Sequence, residues 1–201
     1  MAITSIKTGS SFTNLVKYND FLAGNPSYVP PSFESIATVT AAGGEVGLTF
    51  SSIPSTYQHL QIRGILRKTG TAFGTTALGL RLNSDTGANY ARHGLQGNGS
   101  SASAEGVDNQ TLITVGYCAV PDNASSNIYG STIIDIHDYK STTKNKTVRA
   151  FSGGDTNGAG LVSLASGLWM STSAINSVTL TLALDSTTFV AGSTFSLYGI
   201  K

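Results

Sequence analysis

From residue 34 onward, apolar and polar positions alternate in short bursts. The cleanest burst is "SVTLTLAL", where Val178, Leu180, Leu182 and Leu184 share one parity and Thr179, Thr181 and Ala183 the other. Successive side chains of a strand point to opposite faces, so the first set belongs in a core. Trp169 is expected in the same layer. In "TYQHLQIRGILRK" the residues Leu60, Ile62, Gly64 and Leu66 alternate with His59, Gln61 and Arg63. "SIATVTA", "EVGLTF", "ALGLRLN", "NYARHGLQG", "TLITVGYCAV", "NIYGSTIIDIHDY", "KTVRAFSGG", "GLVSLASGLWM" and the closing "TFSLYGIK" follow the same habit. No long window carries the 3.6-residue apolar period of a helix. Only "TSAIN" at 172–176 has room for one helical turn.

This pattern predicts about ten or eleven short strands with turn signals every 8–15 residues or so, the habit of a sandwich rather than a parallel α/β sheet. Gly43 and Gly44 predict a hairpin between the first two strands. Gly87 in "SDTG" is the expected positive-φ position of a turn. The closing strand, with Phe195 and Leu197 on one face, is expected to pair near the first, at 34–41. The predicted fold is all-β: a jelly-roll-like antiparallel β-sandwich over 34–201, preceded by an extended N-terminal segment.

Residues 1–33 break the pattern. Phe12, Leu15, Tyr18, Phe21, Leu22, Tyr28 and Phe33 give the segment many adhesive side chains without a sustained period. Pro26, Pro30 and Pro31 forbid a regular helix or central strand there. Disordered tails are poor in such residues. The segment is expected to be an anchoring arm, with Phe12, Leu15, Tyr18, Phe21, Leu22 and Tyr28 binding a partner; the alternative is that it packs along its own domain.

Composition narrows the function. Charged residues make up 11% of the chain and the net charge is +1. No field of one sign is available to steer nucleic acid, and no apolar run is long enough for a membrane span, so neither partner is expected. Serine and threonine take the place of charge, with 23 glycines. The lone Cys118 sits in an apolar run and is expected to pack as a small hydrophobe. The N-terminus lacks an apolar signal-peptide core, so no secretory route is expected.

Candidate chemistry is sparse. His59, His93 and His137 are the only histidines. Asp135 and His137 share a strand face, but a metal site needs a third ligand from elsewhere. No G-x-S-x-G occurs, so no nucleophile elbow is expected. "GGDTNGAG" and "NSDTG" are explained by turn chemistry. Lys140, Lys144, Lys146 and Arg149 are expected around one solvated hairpin. Tyr57, Tyr90, Tyr117, Tyr129 and Tyr139 could stack on sugars, although strand tyrosines usually pack half-buried. No enzyme, metal or cofactor is expected.

Several blocks in order resemble a known group: "KYNDFLAGNPSYVPPSFESIATVT", "SSIPSTYQHLQIRGILR", "LNSDTGANYARHGLQGNGSSASA", "SSNIYGSTIIDIHDYKSTTKNKTVRAFSG", "SGLWMSTSAINSVTL" and "FVAGSTFSLYGIK". They are similar to small β-sandwich virion structural proteins of tailed bacteriophages, cyanophages among them. The resemblance implies a non-enzymatic virion protein, assembled in the host cytoplasm. It would be an exterior accessory, a capsid decoration or cement or a short fibre, attached to another capsid or tail protein through its N-terminal arm. A homotrimer is expected. The alternative is a receptor-binding tail-fibre tip that recognises a host-surface glycan.

Overall fold

The computed structural model describes residues 32–71, 76–124, 126–182 and 186–201. The chain divides into two units, Met1–Ser32 and Phe33–Lys201. Every described strand belongs to the second unit. The arm residues Phe12, Leu15, Tyr18, Phe21, Leu22 and Tyr28 lie outside the described residues, as does Leu184.

The strands form two sheets. The large sheet runs β1 (Phe33–Thr40), β13 (Thr194–Ile200), β3 (His59–Lys68), β9 (Gly130–His137), β10 (Lys146–Asp155), β11 (Gly160–Trp169), β5 (Tyr90–Gly97) and β6 (Ala102–Gln110). A two-residue strand, β8 (Val120–Pro121), lies parallel to the end of β3. The small sheet runs β2 (Gly47–Phe50), β12 (Val178–Thr181), β4 (Leu78–Leu82) and β7 (Ile113–Gly116). All other ladders are antiparallel. With β5, β6, β8, β10 and β11 set aside, the chain switches sheets at every connection except that from β4 to β7, which pair within the small sheet. Strands 1-13-3-9 then lie in one sheet and 2-12-4-7 in the other, the two interleaved Greek keys of a jelly roll. The four extra strands widen the large sheet beyond β9.

The core lies between the sheets. Leu60, Ile62 and Leu66 of β3, Ile134 and Ile136 of β9, and Phe195 and Leu197 of β13 meet Phe50, Leu80, Leu82, Val178 and Leu180 of the small sheet. The parity reading therefore holds for Val178, Leu180, Leu182 and Leu197, all fully buried, and Trp169 is buried with them. Its ring stacks on Tyr90 at 6.2 Å, and its Nε1 donates to Asp85 Oδ2 at 2.7 Å. The closing strand pairs with the first along its length, Phe33 opposite Ile200 through Thr40 opposite Thr194.

Three local expectations fail for physical reasons. Gly43 and Gly44 do not close a hairpin, because β1 and β2 belong to different sheets. Both glycines take positive φ, and the Glu45 carboxylate accepts hydrogen bonds from the Ala42 and Gly43 amides, shaping a corner between layers. The turn after β4 uses Asn83 and Ser84, at φ 52° and 55°, rather than Gly87. Asp85 N donates to Leu82 O across that turn, a type I′ geometry that Asn tolerates well. Residues 172–176 form no helix.

Candidate functional site

Where a sheet face meets only water, its outward side chains are expected to be polar. On the large sheet this holds at the β1 end and fails beyond β3. The ladders set outward residues in rows across the strands. The central row runs Thr38, Ser196, Arg63, Ile133, Phe151, Leu164, Leu95 and Ala104, from β1 to β6. At its start the hydroxyls of Thr38 and Ser196 hydrogen-bond to each other at 2.8 Å. Arg63 then lies over the stacked rings of Phe33 and Tyr198. From β9 onward the row is apolar.

Ile133, Phe151, Leu164 and Leu95 are direct cross-strand partners, and each remains 41–53% exposed. Val162 and Ile65, in the row alongside, are exposed to a similar degree. These six make up most of the ten exposed large apolar side chains among the described residues. A contiguous apolar band with a polar rim marks an interaction surface more often than a solvated one.

The rows on either side shape the band. One contains Ser131, Gly153, Val162 and Gly97; its two glycines lower the floor beside Val162, within a hollow of about 710 Å³. The other contains Asp135, Arg149, Ser166 and His93 and borders a hollow of about 550 Å³ floored by Phe151 and Leu164. Asp135 accepts a hydrogen bond from Gln61 Nε2 at 2.8 Å. The described ion pairs are Arg92–Glu105, Lys144–Asp138 and Lys201–Glu34, and none lies in this row. Beyond β5, the edge strand β6 is exposed at every residue.

The other sequence candidates are dispersed. His59 Nδ1 accepts from the Asp138 amide at 3.0 Å, and the His59 ring meets His137 edge-on. Among the described residues, no three His, Cys, Asp or Glu side chains gather as metal ligands. Tyr57, Tyr90 and Tyr139 are buried, so their rings face the core instead of solvent. The expected basic hairpin does not form as a cluster. Lys144 pairs with Asp138, Arg149 joins the polar row on β10, and Lys146 is fully buried.

Asp85 serves its turn, accepting from Trp169 Nε1, Asn89 Nδ2 and the Gly87 amide. These bonds, the indole's foremost, hold its carboxyl below the usual aspartate range.

The apolar band was the feature missed from sequence. Its signal is adjacent apolar residues of opposite parity, as in Ile133–Ile134, Ala150–Phe151 and Leu164–Ala165. Such pairs require cover on both faces of a strand, and the small sheet covers only one. The chain matches no protein-family model and no curated protein.

Proposed function

We propose that this protein is a non-enzymatic structural component of a tailed-bacteriophage particle, an exterior accessory that decorates or cements the capsid or builds a short fibre. The apolar band on the outer face of the large sheet carries this reading. A broad sheet face of half-exposed Ile133, Phe151, Leu164 and Leu95 suits burial against protein. The described grooves bring together no pair of carboxylates: Asp155 lines one, Asp135 the next and Glu105 the third. Most glycoside hydrolases use two facing carboxyls. The particle setting comes from the sequence blocks quoted above.

In this reading residues 1–33 attach the protein to its neighbour. About 30 residues of arm can bury an interface above about 1,200 Å², and repetition in an oligomer multiplies attachment by avidity. The test compares the full chain with a fragment beginning at Ser32, which keeps Phe33 on Tyr198. The fragment should fold and fail to join particles. Equal incorporation of the two would overturn the arm's role. Copy number then separates the positions: hundreds per particle for a capsid protein, a few dozen for a fibre.

One observation favours a glycan-binding tip as the second reading. Phe151 lies beside Arg149, Asp135 and His93 in one hollow, an apolar floor with planar polar groups at its rim. Binding on a glycan array, lost in Phe151→Ala, would establish that reading in place of the first.

A further inference from the structure

Building on the reading of this face as a protein interface, we infer that its partner is a second copy of the same chain. The two large sheets pack face to face about a two-fold axis that runs parallel to the strands, between β10 and β11. In an isologous pair the same patch serves both copies. With this axis β10 lies over β11 of the second copy and β9 over its β5, while each row stays opposite itself. Sheets packed face to face keep their strands within about 30° of each other, so this correspondence holds near the centre.

The side chains then match in three rows. Phe151 meets Leu164 of the second copy and Ile133 meets its Leu95, so the whole apolar band is covered. In the next row Val162 falls over Gly153 of the second copy, a bulky side chain over a position without one. In the polar row Asp135 falls over His93 of the second copy and Arg149 over its Ser166.

Neighbouring axes do worse. An axis along β10 sets Arg149 over its own counterpart, and one along β11 sets Arg149 over His93. An axis between β9 and β10 pairs Asp135 with Arg149 but drives Leu164 onto Arg63 and Leu95 onto Ser196. Only the axis between β10 and β11 covers the apolar band and avoids opposing like charges.

The area suffices. Four strands spaced about 4.8 Å apart and eight residues of about 3.3 Å each cover about 500 Å² per copy. The total of about 1,000 Å² meets the smallest area expected of a biological interface and lies below the roughly 1,200 Å² of the stable class, so the pair belongs to the weaker, reversible dimers. The two-fold pair takes the place of the threefold assembly expected from the resemblance.

The test uses the full chain in solution. Light scattering should give the mass of two chains at micromolar concentration. Phe151→Asp, and independently Leu164→Asp, should give the mass of one chain that still melts cooperatively, since both side chains point away from the core, at a temperature lowered by the loss of the partner copy. A cysteine pair fixes the register. In the double variant Asp135→Cys, His93→Cys the two sites of one chain lie three strand spacings apart, about 14 Å, beyond disulfide reach. A bond between them can close only across two copies, and the native Cys118 is buried. Oxidation should yield a covalent dimer, lost when Phe151→Asp is added.

A monomer or a trimer would overturn the inference. So would a dimer that survives both aspartate variants, or one that never cross-links. Particle incorporation is scored separately. A dimer that never enters particles would sink the virion reading and leave the pairing intact, and a monomer that does enter them would do the reverse.

Discussion

A Cβ placed on Gly64 would lie 2.2 Å from Cδ1 of Phe195, its direct ladder partner across β3 and β13. The missing side chain on one strand is the space occupied by the ring on the next. Phe195 is fully buried and meets Phe189 edge-on, so it has nowhere to retreat. Gly64→Ala should destabilise the fold by about 1–3 kcal/mol through overpacking. Gly47→Ala is the comparison, since its Cβ would find only ordinary contacts at 3.4 Å and beyond. Urea denaturation of the two variants checks this. Equal midpoints would mean that the ring is not locked.

The C-terminal strand should be indispensable. β13 lies between β1 and β3 and buries Phe195 and Leu197. Its Gly199 sits beneath the Tyr57 ring, and Tyr198 stacks on Phe33 at 4.7 Å. Deleting "FSLYGIK" removes two ladders and part of the core at once. The shortened chain should be insoluble or lack a cooperative melt. A truncated protein that melts at the parent temperature would refute this.

Leu182 is fully buried, and its amide donates to Val46 O just past the end of β12. Leu182→Ala should cost about 2–5 kcal/mol, transfer and cavity terms together. A loss below about 0.5 kcal/mol would mean that the pocket collapses around the smaller side chain.

The two-residue alternation on β12, β3 and β13 made the core legible, because one face of each strand is buried and the other is not. It could not reveal β6. "ASAEGVDNQ" has no apolar parity, and it becomes a strand through its ladder with β5 rather than through burial. The corner at Gly43 was misjudged because two glycines signal a reversal without stating which sheet receives the next strand. Most of the site was hidden for a related reason. Phe151, Leu164 and Leu95 are far apart in sequence, and only the β10–β11–β5 register makes them one surface.

Alkaline pH should destabilise the protein through two buried groups. Burial pushes the Cys118 thiol up to about 12 and the Tyr90 phenol up to about 12. In the unfolded chain they ionise near about 8.5 and 10, so there the unfolded state holds fewer protons. Their contribution to stability is complete below those values and declines as pH rises toward 12. Cys118→Ala should lower overall stability yet flatten its fall with pH from about 9 upward. Denaturation midpoints at several pH values check this. Parallel curves for the two proteins would show that the thiol is not a titrating group in that range.

Lys146 should behave as a structural cation. Its side chain is fully buried, and Nζ donates to Ser141 O, Lys144 O and Thr172 O at 2.8, 2.8 and 3.1 Å. Three carbonyls match the three donors of an ammonium group. The side chain thus ties the loop between β9 and β10 to the segment that follows β11. Lys146→Met keeps much of the apolar stem and orphans the carbonyls. It should cost about 2–4 kcal/mol, less than three charge-assisted bonds at about 1.5–3 kcal/mol each, because water reaches the loop once the cation is gone. Lys146→Arg should not rescue it, since a planar fork cannot reproduce the tripod. Burial lowers the amine's pKa from the ordinary lysine value, with Asp138 opposing in part. The unfolded chain therefore holds this proton more tightly, and the lysine's contribution to stability grows as pH rises through the interval just below the ordinary value. The stability difference between the wild type and Lys146→Met should widen across that interval, against the loss caused by Cys118 and Tyr90. A difference that stays constant from pH 8 to about 10.5 would mean that the folded amine titrates as a solvated lysine and the carbonyl cage does not enclose it.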